Sequence, residues 1–394
     1  MKIKVFLLIF VSINLFAQNL NEIIQSLEMG KRVTSMKEQT KADIAQVEYF
    51  DSYDAPYLGF NLSHADESND KGFEYAVGIS QDIAHPFASN SKTMAVQAKT
   101  KAIEQGSLYA LDVLSLEIAK KYHLACISKE MSVSAQKLYD EQNESFFKLQ
   151  KAYELGEISK KELLFNKLDL VNTKRSVTTH KRAYITELSD IQKVVENLDI
   201  EYLECSDLMK ITKEIELKSV EEHTLLKEIS YEQSSAKSFY DLHNSSFSTI
   251  GYELLYEKEL DNKTRYTFGL NIPLDVLSSK TQKQRAEYLH RDASLIAGRE
   301  ALILEIQNGV KSSITKLRTL YEEFLLLEEE IVPMSLELKD LAKKSLREGH
   351  SSVLEYLDAT RSYSKISLEL QEIKKGYYEE LFELYKRADM KGKL

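Results

Sequence analysis

Apolar and polar residues alternate along both arms of the segment 247–285, and this alternation predicts a β-hairpin. A polar turn, residues 258–263, joins the two arms, and Pro273 follows the second arm. Alternation with a period of two is typical of strands that have one apolar and one polar face. A strand of a soluble β-sandwich would show the same pattern. The apolar positions are Ile250, Tyr252, Leu254, Tyr256, Tyr266, Phe268, Leu270 and Ile272.

The same pattern occurs earlier in the chain, on the two sides of a polar turn at residues 66–72. Tyr75 and Gly78 precede Tyr266 and Gly269 by one constant interval. The two hairpins are therefore matching parts of a tandem repeat, and this duplication weakens the sandwich interpretation. The apolar positions of the first hairpin are Leu58, Phe60, Leu62, Phe73, Tyr75, Val77 and Ile79.

A long helical pattern follows each hairpin. Between residues 91 and 151 the apolar residues recur at intervals of three and four, which predicts an amphipathic helix. The second pattern, residues 280–346, would span roughly 100 Å as one continuous helix, and Pro333 predicts a kink in it. Its heptads require a neighbouring helix. The heptad positions are Leu320, Phe324, Leu327, Ile331, Met334, Leu338 and Leu341.

These patterns define the predicted domain organisation. Residues 18–205 form a first repeat, with a helix, a hairpin at about 56–82 and a long helical hairpin whose tip lies near residue 156. Residues 206–394 form a second repeat, with its hairpin at about 247–274 and its tip near residue 349. The predicted fold class is mainly α with a small β part.

The N-terminus predicts a signal peptide, residues 1–17. Lys2 and Lys4 precede a short apolar run, and Ala17 supplies a small residue before the expected cleavage site. Export permits a disulfide, but Cys126 and Cys205 could equally be two unpaired thiols.

The charge and composition narrow the class of function. The formal net charge of −10 argues against nucleic-acid binding, which requires a basic surface. The negative mean hydropathy does not exclude membrane insertion as a β-barrel, because alternating strands barely raise the average.

Four strands in one chain are too few to close a transmembrane barrel. An open apolar sheet would expose unpaired backbone groups to lipid. Several chains that each contribute four strands to one ring would solve this problem, and helices of the same chains would continue the ring as a tube. In such a ring the apolar positions of both hairpins face lipid, and the intervening Thr, Asn, Ser, Gly and Glu residues face water.

With this organisation the chain resembles the TolC-like outer-membrane efflux family, over essentially the whole mature sequence. The resemblance depends on the duplicated hairpin-plus-helices order and on two strings. The first, Gly269-Leu270-Asn271-Ile272-Pro273-Leu274, ends the last strand. The second, Gly349-His350-Ser351-Ser352-Val353-Leu354-Glu355-Tyr356-Leu357-Asp358-Ala359-Thr360, follows the second tip.

The resemblance implies a homotrimer in the outer membrane, with a β-barrel in lipid and an α-helical tunnel in the periplasm. It implies docking to a periplasmic adaptor and an inner-membrane pump. The chain would then be a passive exit duct for small molecules or ions, with no cofactor and no metal of its own. The pump would supply the energy and select the cargo.

The resemblance also implies roles for particular residues near the two tips. Two turns would be the tips that contact the adaptor: Leu155-Gly156-Glu157 and Glu348-Gly349-His350. Glu355 and Asp358 would form acidic rings at the closed tunnel mouth, because residues three apart share one helix face and carboxylate rings select cations. Glu162 holds the matching position in the first repeat.

The sequence departs from the family pattern at three places. Where relatives can have a tyrosine before the second tip glycine and an arginine after it, this chain has Leu346 and Ser351. The contacts that hold the mouth shut would therefore differ. Phe165 occupies the first-repeat position that matches Asp358, so only the second repeat would supply that acidic ring.

Three other functions compete with an efflux channel: an enzyme, a soluble scaffold and a duct for protein secretion. No metalloprotease, phosphate-loop or hydrolase motif is present, and the eight histidines are scattered, so the sequence argues against an enzyme. A soluble periplasmic coiled-coil scaffold or adhesin would keep the heptads but would not explain the aromatic faces of the hairpins. Within the family, the exit duct of a type I protein-secretion system is the alternative.

Overall fold

The computed structural model describes residues 18–67, 70–195, 200, 202–206, 208–244, 249–259, 263–274 and 277–391. The predicted signal peptide, residues 1–17, lies outside the described residues. Eight α-helices are defined within them: α1 Leu20–Glu28, α2 Lys31–Tyr49, α3 Pro86–Glu154, α4 Lys160–Gln192, α5 Thr224–Asn244, α6 Ser279–Leu325, α7 Val332–Arg347 and α8 Val353–Arg387. A short 3₁₀-helix, Val220–Glu222, precedes α5.

Four strands form one antiparallel sheet in the order β1-β2-β3-β4. The strands are β1 Tyr57–Glu67, β2 Asp70–Ala84, β3 Thr249–Lys258 and β4 Thr264–Asn271. Each predicted hairpin is present, and the sheet joins them because β2 pairs with β3. The prediction of a mainly helical fold with a small β part is confirmed.

Contacts divide the chain into two compact units, and each unit takes residues from both halves of the sequence. The helical unit contains the described parts of Met1–Ser35, Leu111–Lys218 and Asn308–Leu394. The sheet unit contains those of Met36–Ala110 and Ser219–Gln307, including all four strands. The long helices α3 and α6 contribute residues to both units.

The larger apolar core lies in the helical unit. Tyr122, Leu149, Leu203 and Tyr377 are among its fully buried side chains. Phe324, Leu327 and Leu370 form a further buried cluster, so the first half of the heptad pattern packs inside this chain. Hydrophobic burial of this kind is the main stabilising contribution to a helical unit.

Hydrogen bonds and a disulfide hold a segment without regular structure, residues 202–206 and 208–218, against this core. The Tyr377 hydroxyl donates to the Thr212 carbonyl at 2.8 Å and accepts from the Thr212 N–H at 3.1 Å. Lys129 Nζ donates to the Leu203 carbonyl at 2.9 Å. A disulfide joins Cys126 to Cys205, which settles the question that the sequence left open.

The interruption expected at Pro333 takes the form of a π-helix, Leu326–Ile331, between α6 and α7. Pro333 is the second residue of α7, and its ring would clash with the carbonyl of Glu329 in a regular α-helix. Because Glu329 lies within the π-helical turn, the wider backbone spacing there accommodates the proline.

Candidate functional site

The cross-strand register places the predicted lipid-facing residues on one face of the sheet. Directly opposed residues in an antiparallel pair point to the same side. Ile79 opposes Leu254 and Val77 opposes Tyr256, which joins the two hairpins on this face. The opposed apolar pairs within the hairpins are Leu58 with Ile79, Phe60 with Val77, Leu62 with Tyr75, Tyr252 with Leu270, Leu254 with Phe268 and Tyr256 with Tyr266. We call this surface the apolar face.

The apolar face is uncovered within this chain. Phe60 is 65% exposed, Phe268 is 64% exposed and Tyr266 is 79% exposed. Exposed apolar patches of this extent mark a surface that contacts another chain or a membrane. Ile272 lies just beyond the end of β4 and is also exposed.

The opposite face of the sheet is polar and closely packed. It includes Asn61, Ser63, Glu253 and Thr267. Five glycines, at positions 59, 72, 78, 251 and 269, also lie on it. A Cβ at Gly269 would approach Glu253 within 3.3 Å. Glycines gathered on one face relieve crowding where a sheet bends toward that face, as the inner side of a barrel does.

Both edges of this sheet are unpaired within the described residues. β1 pairs only with β2, and β4 pairs only with β3. Each edge therefore presents a row of backbone N–H and C=O groups that have no strand partner. Unpaired edges of this kind can pair with a strand of another chain.

The two predicted tips are built in the same way. Gly156 and Gly349 both have a φ of +78°, the left-handed region that favours glycine. The Glu157 N–H donates to the Ala152 carbonyl at 2.8 Å, and the His350 N–H donates to the Ser345 carbonyl at 2.9 Å. Each bond reaches back five residues, which defines a Schellman helix end.

A serine then caps the N-terminus of each return helix, α4 and α8. The Ser159 hydroxyl accepts from the Glu162 N–H at 3.2 Å, and the Ser352 hydroxyl accepts from the Glu355 N–H at 3.3 Å. The Glu162 carboxylate accepts from the Ser159 N–H at 2.7 Å, which completes a capping box. This backbone hydrogen bond lowers the pKa of Glu162. The structure thus gives Glu162 a capping role in its own helix.

Asp358 and Glu355 are both exposed, but their surroundings differ. Arg361 Nη1 donates to Asp358 Oδ1 at 2.6 Å, and Arg361 also forms an ion pair with Asp169 of α4. Arg361 therefore offsets part of the Asp358 charge. Among the described residues, Glu355 has no ion-pair partner, so no neighbouring cation offsets its charge.

The sequence alone did not indicate a role for Arg361 or Asp169. The spacing of three between Asp358 and Arg361 is a recognisable signal for a pair on one helix face. Asp169 gives no such signal, because it lies on another helix and only the tertiary structure brings it to Arg361.

Apolar stripes on two helices of the helical unit remain exposed. Their residues are spaced by four and three, as in a coiled-coil seam. On α7 the stripe continues the predicted heptad beyond its buried first half. The stripes consist of Leu164, Leu168 and Val171 on α4, and of Met334, Leu338 and Leu341 on α7, each at least half exposed.

His123 is a second feature that the sequence did not indicate. It is fully buried between Tyr378, whose ring stacks on it at 4.8 Å, and Phe382. Neither ring nitrogen has a hydrogen-bond partner among the described residues. Burial lowers the pKa of His123 to about 4.

Within the described residues, none of the helices combines the length and the apolarity needed to cross a bilayer. The same part of the chain contains no group of three or more histidine, cysteine, aspartate or glutamate residues that could hold a metal ion.

Comparison of the structure with solved structures gives extensive matches. The Campylobacter jejuni CmeC outer membrane channel matches with a TM-score of 0.78 at 13% identity, over 93% of this chain and 85% of that one. The outer membrane protein VceC from Vibrio cholerae matches with a TM-score of 0.76 at 12% identity, over 94% and 95%. The open-state MtrE outer membrane channel of Neisseria gonorrhoeae matches with a TM-score of 0.75 at 14% identity, over 94% and 88%.

The fold is that of these outer-membrane channel proteins. At the level of sequence, no family model matches the chain, and no curated protein matches it significantly. The channel fold therefore lies beyond the reach of overall sequence similarity, whereas the repeated hairpins and the tip strings still indicate it.

Proposed function

We propose that this chain is one protomer of a homotrimeric outer-membrane exit duct of a tripartite efflux system. The observation that carries the proposal is the four-stranded sheet, which has one exposed apolar face and two open edges. Three copies placed edge to edge would pair every edge strand and close a barrel. Closure of this kind is the way in which a sheet satisfies its backbone groups in lipid.

The assignment of the two faces follows from the same geometry. The apolar face, with Phe60, Tyr266 and Phe268, lies outward against lipid. The polar face, with Asn61 and Thr267, lines a water-filled interior. The glycines on the polar face let the sheet bend inward there.

The exposed helical stripes support a tunnel made from several chains. Leu168 and Leu338 lie in stripes with coiled-coil spacing that this chain leaves uncovered. In the trimer, helices of the neighbouring protomers cover these stripes, since apolar side chains spaced by four and three pack into a facing helix. The helices then form a periplasmic tunnel that continues the barrel.

The two glycine turns are the proposed contacts with a periplasmic adaptor, which in turn binds an inner-membrane pump. All six turn residues, Leu155-Gly156-Glu157 and Glu348-Gly349-His350, are exposed. The first turn presents an apolar Leu155 that is 74% exposed. The second presents Glu348 and His350, whose Oε2 and Nδ1 atoms lie 3.7 Å apart.

The acidic residues beyond the tips form the proposed gate of the duct. Glu355, with no ion-pair partner in the described chain, is the strongest contributor of negative charge. Asp358 adds a second ring whose charge Arg361 reduces. Glu162 belongs to the same group by position, although its carboxylate is held by its own helix cap. Carboxylate rings of this kind favour cations and retain divalent ions.

Purification and bilayer recording test this function together. We expect the protein to require detergent, to give a trimer mass by native mass spectrometry and to conduct ions in planar bilayers. The substitution Glu355→Gln should weaken block by divalent cations more than the substitution Glu162→Gln does. A folded monomer that stays soluble in plain buffer would instead support the scaffold interpretation and overturn the proposal.

A further inference from the structure

A cavity of about 410 Å³ lies within the sheet unit, and the proposed channel function makes no use of it. Its size falls within the roughly 300–1,000 Å³ that is common for small-molecule sites. Residues from α2, α3, α5 and α6, together with Phe50, line it. The lining includes Lys92, Lys99, Glu232, Ala236, Tyr288 and Arg291.

One wall of the cavity is aromatic. The ring of Tyr288 stacks on Phe239 at 5.2 Å and 7°, and on His243 at 5.6 Å and 11°. Val47 and Leu242 extend this wall with aliphatic surface. A wall of this kind excludes water and favours an apolar ligand body.

The charged lining of the cavity is predominantly positive. Lys99 and Arg291 share the single carboxylate of Glu232, and the Arg291 contact measures 3.5 Å. Lys92 also lines the cavity and has no acidic partner among the described residues. Three cationic side chains against one carboxylate leave an excess of positive charge in the lining. An excess of positive charge beside an apolar wall matches an anionic head on an apolar body.

We propose that this cavity binds an anionic amphiphile, a single acyl chain that carries one carboxylate or phosphate group. The acyl chain lies against the Phe239–Tyr288 wall, and the anionic head lies at Lys92. The proposal depends on the sheet unit alone, so it holds or fails separately from the conduction of ions.

Photo-crosslinking tests this assignment on the detergent-purified full-length protein. The probes are a diazirine-bearing palmitic acid, the corresponding lysophosphatidic acid and the uncharged fatty alcohol of equal length. After illumination, mass spectrometry locates the labelled peptides. We expect both anionic probes to label α5 and the first turns of α6, and unlabelled palmitate to compete. The stronger of the two anionic probes identifies the head group.

Three variants sharpen the experiment. Lys92→Gln should weaken competition by palmitate roughly tenfold, because one charge-assisted contact is lost. Lys101→Gln is the matched control, since Lys101 is exposed on the same helix and does not line the cavity. Ala236→Trp, at a buried lining position, should fill the cavity and abolish labelling.

Two outcomes would overturn the proposal. The first is equal labelling by the fatty alcohol and the anionic probes, which would remove the role of the positive lining. The second is a Lys92→Gln variant that has the normal oligomeric mass and in which palmitate competes for labelling as strongly as in the native protein. This outcome can be read even if Ala236→Trp fails to fold.

Discussion

Arg361 of α8 forms an ion pair with Asp169 of α4, and it also binds Asp358 one helical turn before it on its own helix. Arg361→Gln should loosen this link between α4 and α8. We expect the loss to be small, roughly 0.5–1 kcal/mol, because the arginine side chain is 39% exposed. Amide hydrogen exchange should become faster around residues 169 and 361.

The same substitution should increase divalent block in planar bilayers, since it exposes two carboxylates that Arg361 now offsets. Lys316→Gln is the control, because Lys316 forms a comparable pair with Glu380 at 3.3 Å, remote in sequence from both tips. If the two substitutions change divalent block equally, Arg361 has no specific role at the proposed gate.

Gly349 tests the construction of the tips. Gly349→Ala should destabilise the helical hairpin by about 1 kcal/mol, because alanine resists the φ of +78° even though no atom would obstruct its Cβ. Gly298→Ala should instead stabilise the protein, since Gly298 lies inside α6, has no positive φ and leaves open space for a Cβ. Urea midpoints of the two variants measure this contrast, and destabilisation by both would contradict it.

Acid should weaken the helical unit through His123. Its pKa is about 4 in the folded protein and 6.5 in the unfolded chain, so the unfolded chain binds the extra proton between these values. The contribution of neutral His123 to the free energy of unfolding is complete above pH 6.5 and declines as the pH falls toward 4. Its full size is roughly 3 kcal/mol.

His123→Phe keeps an aromatic ring at this position and removes the titration. The unfolding midpoint of this variant should depend less on pH between 6.5 and 4 than that of the native protein. His350→Gln, which removes an exposed histidine at a tip, is the control for the loss of an imidazole as such. An identical pH profile for the His123 variant and the native protein would show that this group is not responsible.

The Cys126–Cys205 disulfide should contribute substantially to stability. It joins residues that are 79 apart, and closing a loop of this length lowers the entropy of the unfolded chain by an amount worth about 4.5 kcal/mol in the simple polymer treatment. Reducing agent should lower the unfolding temperature of the native protein and leave the double variant Cys126→Ser, Cys205→Ser unaffected. A native protein that is insensitive to reduction, with the loss of the disulfide verified by mass, would contradict this prediction.

The sequence predicted the elements whose signals are local. Alternation at Tyr266 and Phe268 indicated a strand, and the glycines at 156 and 349 indicated turns, because each signal depends on neighbouring residues and backbone geometry. Pro333 predicted an interruption in the long helix, although the π-helix before it could not be foreseen.

The features that the sequence did not reveal depend on contacts between distant residues. Nothing near Cys126 specifies Cys205 as its partner, and nothing near Asp169 specifies Arg361. The positively charged cavity at Lys92 likewise requires four helices in their folded positions. The gate was predicted as two acidic rings, Glu355 and Asp358, with Glu162 as the matching residue of the first repeat; the structure shows that Arg361 pairs with Asp358 and that a helix cap holds Glu162.

The proposed channel requires the apolar face to point outward to lipid, and cysteine labelling along β4 measures this orientation. The chain contains only two cysteines, Cys126 and Cys205, and they are joined in a disulfide. Each introduced cysteine is therefore the only free thiol of its variant. In proteoliposomes a membrane-impermeant maleimide should label Arg265→Cys and Thr267→Cys rapidly and leave Tyr266→Cys and Phe268→Cys protected. Equal labelling of all four positions, or protection of Thr267→Cys with labelling of Phe268→Cys, would contradict the assignment of the apolar face to lipid.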